Sequence, residues 1–286
     1  AVITDSAADI PDEDMERLDI HMVPCRIQFG DRGYLDKVSI TADEFFEELR
    51  TNPNHPTTSQ PAPGDFRRQY QFLASHFADV LSINLTGKAS GTLEAARSAA
   101  ERVNAHGRVH VINSLNASLG QGLLAVAAAE YAKAGLSIGD AIAAVEKLIP
   151  ETRTYGLLKD LRFAVRGGRV PRWVKTIADL LRATAVIRTV PDGRVASGTF
   201  LFGRRNRIKR FARYVARLTP PADSLDVAIG HAICPEDAAE LERELRRRFD
   251  NIHRTTITDI GAALGAHGGP GTLIVATQPY SRPARS

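Results

Sequence analysis

Three hydroxyls crowd the segment Thr86-Gly87-Lys88-Ala89-Ser90-Gly91-Thr92, which lies between an apolar run at 80–84 and a helical pattern that begins near Leu93. A helix leaves its first four N–H groups unpaired and carries partial positive charge there, so an oxyanion placed just ahead of Leu93 is stabilised. Gly87 and Gly91 let the backbone approach it. One hydroxyl can act as the helix N-cap, and three exceed that need. The spacing also argues against other chemistries. A phosphate-binding P-loop requires G-x-x-x-x-G-K-[ST], whereas Gly87-Lys88 is followed by Ala89, which disfavours a nucleoside triphosphate. The nucleophile elbow G-x-S-x-G is missed by one register, so Ser90 is a donor first and a nucleophile second.

Two further segments offer donors without an obvious partner. Thr58, Ser59 and Gln60 stand between Pro56 and Pro61, where fixed φ angles hold donors in place at little entropic cost. His267 is embedded in Ala266-His267-Gly268-Gly269-Pro270-Gly271; it titrates near neutrality and can donate to an anion or move a proton. Arg169 follows Gly167-Gly168 on a constrained loop, and Arg204 opens a basic run that ends at Arg217. Along that run Ile208, Phe211, Val215 and Leu218 form an apolar stripe at helical spacing, which makes most of the charges a solvated face. His231, at the end of an apolar strand, reads as a packed residue.

Composition bounds the rest. The chain has 286 residues, 43% of them hydrophobic, and a net charge of +4, enough for two globular domains with a core each. Two cysteines, Cys25 and Cys234, cannot build a disulfide framework, and the eight histidines include no H-E-x-x-H, so a protein-bound metal is not expected. The mild basicity permits nucleic-acid binding without arguing for it. No basic leader and no apolar run long enough to span a bilayer is visible, which points to a cytoplasmic protein with no membrane insertion.

The elements that must position these residues alternate. Strand patterns at 1–3, 21–29, 80–84 and 108–113 are separated by helical patterns at 11–18, 41–50, 65–77, from 93 onward and at 118–134, with a further helix at 137–148. Thr41 and Glu44 form a capping box. This predicts a parallel α/β sheet with helices on both faces over residues 1–153. The absence of G-x-G-x-x-G argues against a dinucleotide fold, and Asp5 and Ser6 fall at a strand's carboxyl end, where open α/β sheets place ligands. Beyond a boundary near 150–154, Pro191-Asp192-Gly193 reads as a hairpin turn between strands at 185–190 and 195–202, which predicts a second α/β domain over 154–286 with a mixed, partly antiparallel sheet.

Taken together, Thr4-Asp5-Ser6-Ala7-Ala8-Asp9, Thr58-Ser59-Gln60-Pro61, Ser90-Gly91-Thr92, Gly167-Gly168-Arg169 and His267-Gly268-Gly269-Pro270-Gly271 resemble the DegV family of bacterial fatty-acid-binding proteins (FakB-like) over essentially the whole chain. The resemblance implies a two-domain α/β protein that holds one long-chain fatty acid at the domain junction, as ligand and not as cofactor. Its carboxylate would be bound by Thr58, Ser90 and His267, with Ser59, Thr86, Gly91 and Thr92 beside them. Arg169 and Arg204 would meet an approaching phosphate. It further implies a monomeric carrier, not an enzyme, that presents its lipid to an ATP-using fatty acid kinase subunit for phospholipid synthesis. The chain departs from the family where Thr86-Gly87 replaces two serines, Asn113-Ser114 replaces Asp-Ser, and Ala7 replaces threonine. Two other readings compete: a serine hydrolase using Ser90 with His267, and a nucleic-acid-binding regulator working through the Arg204–Arg217 helix.

Overall fold

The computed structural model describes residues 1–103, 107–168, 170, 172–180, 183–203 and 206–280. Its elements run β1 (Val2–Asp5), α1 (Asp12–Leu18), β2 (Ile20–Val23), β3 (Arg26–Phe29), β4 (Arg32–Leu35), α2 (Ala42–Thr51), β5 (Thr57–Ser59), α3 (Pro63–His76), β6 (Val80–Asn84), α4 (Thr92–Val103), β7 (Val109–Asn113), α5 (Leu119–Lys133) and α6 (Ile138–Leu148). They continue β8 (Arg153–Leu158), α7 (Leu161–Arg166), α8 (Arg172–Leu180), β9 (Ala183–Thr189), β10 (Val195–Phe202), α9 (Arg207–Leu218), β11 (Leu225–His231), α10 (Pro235–Arg246), β12 (Ile252–Asp259), α11 (Ala262–Gly268) and β13 (Leu273–Pro279).

β2, β1, β6 and β7 form a wholly parallel sheet in that order. Successive residues of β1 serve opposite faces, as a pleated strand requires. Val2 joins the core made with α5 and α6, and Ile3 joins the core made with Phe66, Tyr70 and Leu73 of α3 and the alanines of α4. A second sheet, ordered β10-β9-β8-β13-β11-β12, is antiparallel except for its β11–β12 pair. Thr41 and Glu44 make the reciprocal bonds of a capping box at the start of α2. On α9 the apolar stripe of Ile208, Phe211 and Val215 is buried.

The glycine- and alanine-rich α5 lies between the two sheets. Leu124 to Ala129 pack with the parallel sheet, while Leu119 and Leu123 meet Ala228 and Ala276 of the mixed one. Its outer end is clamped by Glu130, which pairs with Arg254 at 2.9 Å, Arg254 in turn holding the buried Asp226 at 2.8 Å.

Two sequence readings are corrected. The expected strand over 21–29 is broken into β2 and β3, which belong to different sheets. Pro24 has no N–H to give a ladder, and the Cys25 N–H is bound by Ser6 Oγ at 2.9 Å, so pairing stops there. The hydroxyl-bearing segment between prolines, read as a loop held rigid by them, is a strand: residues 57–59 pair antiparallel with β3, Thr58 opposite Ile27, in a small sheet ordered β4-β3-β5.

Candidate functional site

A cavity of about 320 Å³ lies between the mixed sheet and the loops at the carboxyl end of the parallel one. That is within the size range of small-molecule sites, roughly 300–1,000 Å³. Its floor is set by strand register. On β8, Thr154, Gly156 and Leu158 face the cavity at alternate positions, with Ile187 and Ile274 flanking Gly156 on the neighbouring strands and Ala185 beside Leu158. Ala7, Cys25, Leu85 and Ala117 close it from the other side. Burial, reinforced by the carboxylate of Asp5, pushes the Cys25 thiol well above its usual range, so it is a hydrophobic wall and not a nucleophile.

One end of this apolar space is polar. Thr58, Ser59, Gln60, Ser90, Gly91 and His267 all line it. Thr58 Oγ1 and His267 Nε2 lie 2.8 Å apart although 209 residues separate them in sequence. Thr58 is fixed by the pairing of β5 on β3. His267 is fixed from the far end of its own helix: the first N–H groups of α11 are bound by two buried carboxylates, Asp9 through the Gly261 N–H at 2.9 Å and Asp36 through the Ala262 N–H at 2.8 Å. Negative charge there favours the helix. Burial raises the pKa of both carboxyls, that of Asp36 to about 6. The imidazole lies against Gly167, where a Cβ would fall 2.1 Å from Nδ1; contact, not turn geometry, is what requires glycine at this position.

Ser90 Oγ lies 2.8 Å from Thr92 Oγ1 and accepts the Thr92 N–H at 3.3 Å, so it caps α4 while facing the cavity. This arrangement does not favour the hydrolase reading, because Ser90 is engaged by Thr92 and the His267 Nε2 by Thr58. Thr92 is fully buried behind Ser90 and is not part of the cavity wall. Thr86 also stays out of it: its hydroxyl donates to the Gly193 carbonyl at 2.9 Å, tying the loop after β6 to the β9–β10 hairpin. Arg169 and Arg204 lie outside the described residues.

Asp5 and Ser6, placed by sequence where open α/β sheets bind ligands, are internal. The Asp5 carboxylate accepts from the N–H groups of Ala7 and Leu85 and from Gln121 Nε2, at 3.2, 3.0 and 2.9 Å, and burial raises its pKa to about 6. Gln60 was not singled out from sequence as a wall residue, although it stands inside the quoted Thr58-Ser59-Gln60-Pro61 segment. Among the described residues no group of three or more His, Cys, Asp or Glu side chains is placed to hold a metal ion, and no helix is long and apolar enough to cross a membrane.

The arrangement can take one anionic head group at Thr58, Ser90 and His267 and shelter a hydrocarbon behind it. Comparison with known proteins places this geometry in a family. The family model described as "Uncharacterised protein, DegV family" matches residues 1–279. Protein DegV of Bacillus subtilis is 31% identical over 282 residues, 96% of each chain. Among solved structures, a DegV family protein from Thermus thermophilus described for its fatty acid binding superposes with a TM-score of 0.89 at 27% identity, covering 98% of this chain and 99% of that one. DegV of Bacillus subtilis, described as a fatty acid binding protein, superposes with a TM-score of 0.86 at 29% identity over the same shares.

Proposed function

The chain belongs to the DegV family, and on that premise we propose that it binds a single long-chain fatty acid, the carboxylate held by Thr58, Ser90 and His267 and the tail in the cavity. The observation that carries this reading is the 2.8 Å contact of Thr58 with His267 at one end of a mainly apolar cavity, with Ser90 in the same wall. Each hydroxyl has a single proton to give, and the imidazole adds a ring N–H. A carboxylate buried without such donors would be costly. The tail supplies the affinity: at about 0.8 kcal/mol per methylene, a chain of about sixteen carbons gains on the order of 10 kcal/mol as an upper bound. The head-group donors fix its register.

We place the boundary between the two halves at residues 153 and 154, so that the lipid lies where they meet. The chain acts as a carrier. It offers the carboxylate to a separate ATP-using kinase subunit, where a carboxylate oxygen bonds to the γ-phosphorus of ATP, the bond to ADP breaks, and an acyl phosphate forms for phospholipid synthesis. Arg169 and Arg204 are assigned to neutralising the incoming phosphate.

Denaturing mass spectrometry of the purified chain tests the binding. About one acyl chain per protein is expected; a stably empty protein that also takes up no added palmitate or oleate would refute it.

A further inference from the structure

A stretch of the cavity wall away from the head-group residues carries polar groups that a saturated tail does not use. Thr154 Oγ1 and Thr189 Oγ1 both donate to Asn116 Oδ1, at 3.1 and 3.0 Å. The three residues are only 7%, 8% and 2% exposed, and the two threonines line the cavity. Gly120, in the first turn of α5, lets the helix close over them: a Cβ there would fall 2.1 Å from Thr154 Oγ1. With its proton given to Asn116, each hydroxyl keeps its lone pairs as acceptors, and among the described residues no N–H or O–H donates to either oxygen. They form a pair of buried acceptors that lack a donor.

Their distance from the head-group site follows from the sheet. His267 abuts Gly167 at the end of α7, and α7 packs through Ala164 against Leu158 and Ala185. Four residues of β8 separate Leu158 from Thr154, about 13 Å. The row between them, Ile187, Gly156 and Ile274, is apolar. A tetrahedral chain of ~1.5 Å bonds advances roughly 1.25 Å per carbon, so the acceptors lie on the order of ten carbons beyond the carboxylate end.

Building on the fatty-acid reading, we propose that Thr154 and Thr189 form a second subsite that takes the O–H of an acyl chain hydroxylated near its middle. A hydroxyl at that depth donates into the vacant lone pairs. The same hydroxyl five carbons nearer the head would lie in the Ile187–Gly156–Ile274 row and be buried without a partner, which is where discrimination between positional isomers arises.

The test is competition binding on the full chain with eighteen-carbon acids: the unsubstituted acid, isomers hydroxylated at carbons 10 to 12, and isomers hydroxylated at carbons 5 to 6. The mid-chain isomers are expected to bind about tenfold or more tighter than the proximal ones. In Thr154→Val and Thr189→Val the ratio between the two isomer classes is expected to fall toward one. Each single variant leaves the other threonine on Asn116 Oδ1, so neither orphans that oxygen. Binding of the unsubstituted acid with no isomer preference, or a preference that survives both substitutions, overturns the subsite and leaves the fatty-acid reading intact. Failure to bind any of the acids overturns both.

Discussion

Gly156 sits at the centre of the cavity floor, and filling it is the sharpest perturbation of the proposed tail path. A Cβ at this position would meet Ile187 Cγ1 at 2.9 Å and Cδ1 at 3.3 Å. Cγ1 is the inner carbon of a β-branched side chain and moves only with χ1, so Gly156→Ala already presses on Ile187 and weakens binding, though by less than a larger side chain. Gly156→Val adds two methyl groups to the channel between Ile187 and Ile274 and closes it. Between the plug and Thr154 lie two residues of strand, about 6.6 Å, the length of roughly five carbons of tail. At about 0.8 kcal/mol for each methylene kept from burial, a chain of about sixteen carbons loses up to ~4 kcal/mol, close to a thousandfold in Kd. An acid of about six carbons ends at the plug and loses little. Isothermal titration of both variants across a ladder of chain lengths measures this directly, with retained binding of the short acid as the control for folding. A valine variant that binds the sixteen-carbon acid within about threefold of the parent would show that the tail does not run over β8.

His267→Ala removes one head-group donor and leaves the carboxylate one partner short, a cost of about 1–3 kcal/mol, or roughly 5- to 150-fold in the Kd for palmitate by calorimetry. Because the tail supplies most of the affinity, binding is expected to weaken and not vanish; an unchanged Kd would remove His267 from the site. Asp36→Asn keeps an oxygen for the Ala262 N–H and discards a buried charge. With a pKa raised by burial from 3.8 to about 6, the native carboxyl holds its proton more tightly than the unfolded one, so its contribution to stability declines as pH rises between those values and is constant above them. The variant therefore gains on the parent as pH rises, by on the order of 1 kcal/mol between pH 5 and pH 7. That is about 2–4 °C in Tm by differential scanning calorimetry of the two proteins at both pH values, and a Tm difference independent of pH would contradict it.

The parts of this molecule that were legible in its sequence are those whose cause is local. The capping box at Thr41 and Glu44, the hairpin turn at Pro191-Asp192-Gly193 and the apolar stripe of α9 each depend on residues a few positions apart, and each appears as read. The alternation of strands and helices was enough for a parallel sheet followed by a mixed one. The break between β2 and β3 was not legible, because it depends on where Ser6 spends its hydroxyl. The candidate site divides in the same way. Thr58, Ser90 and His267 stood out by residue type and setting, but Thr86, the same type in the same loop as Ser90, turns to a carbonyl 107 residues away.

What distinguishes Thr86 from Ser90 is the position of a distant acceptor, and no local pattern carries that. The same holds for the buried carboxylates. Nothing local marks Asp5, Asp9 and Asp36 as buried, yet each is bound by a backbone N–H of a segment remote in sequence, and two of them set the start of the helix that presents His267. Desolvating them is costly, as their raised pKa values show, and that cost is met only when the loops they bind are in place. Asp9, which follows β1 of the parallel sheet, and Asp36, which follows β4 of the small sheet, therefore make the position of His267 conditional on both sheets being folded. A head-group site assembled from Thr58, Ser90 and His267, on three remote segments, needs such a condition, since none of the three can be brought to the others by its own neighbours in sequence.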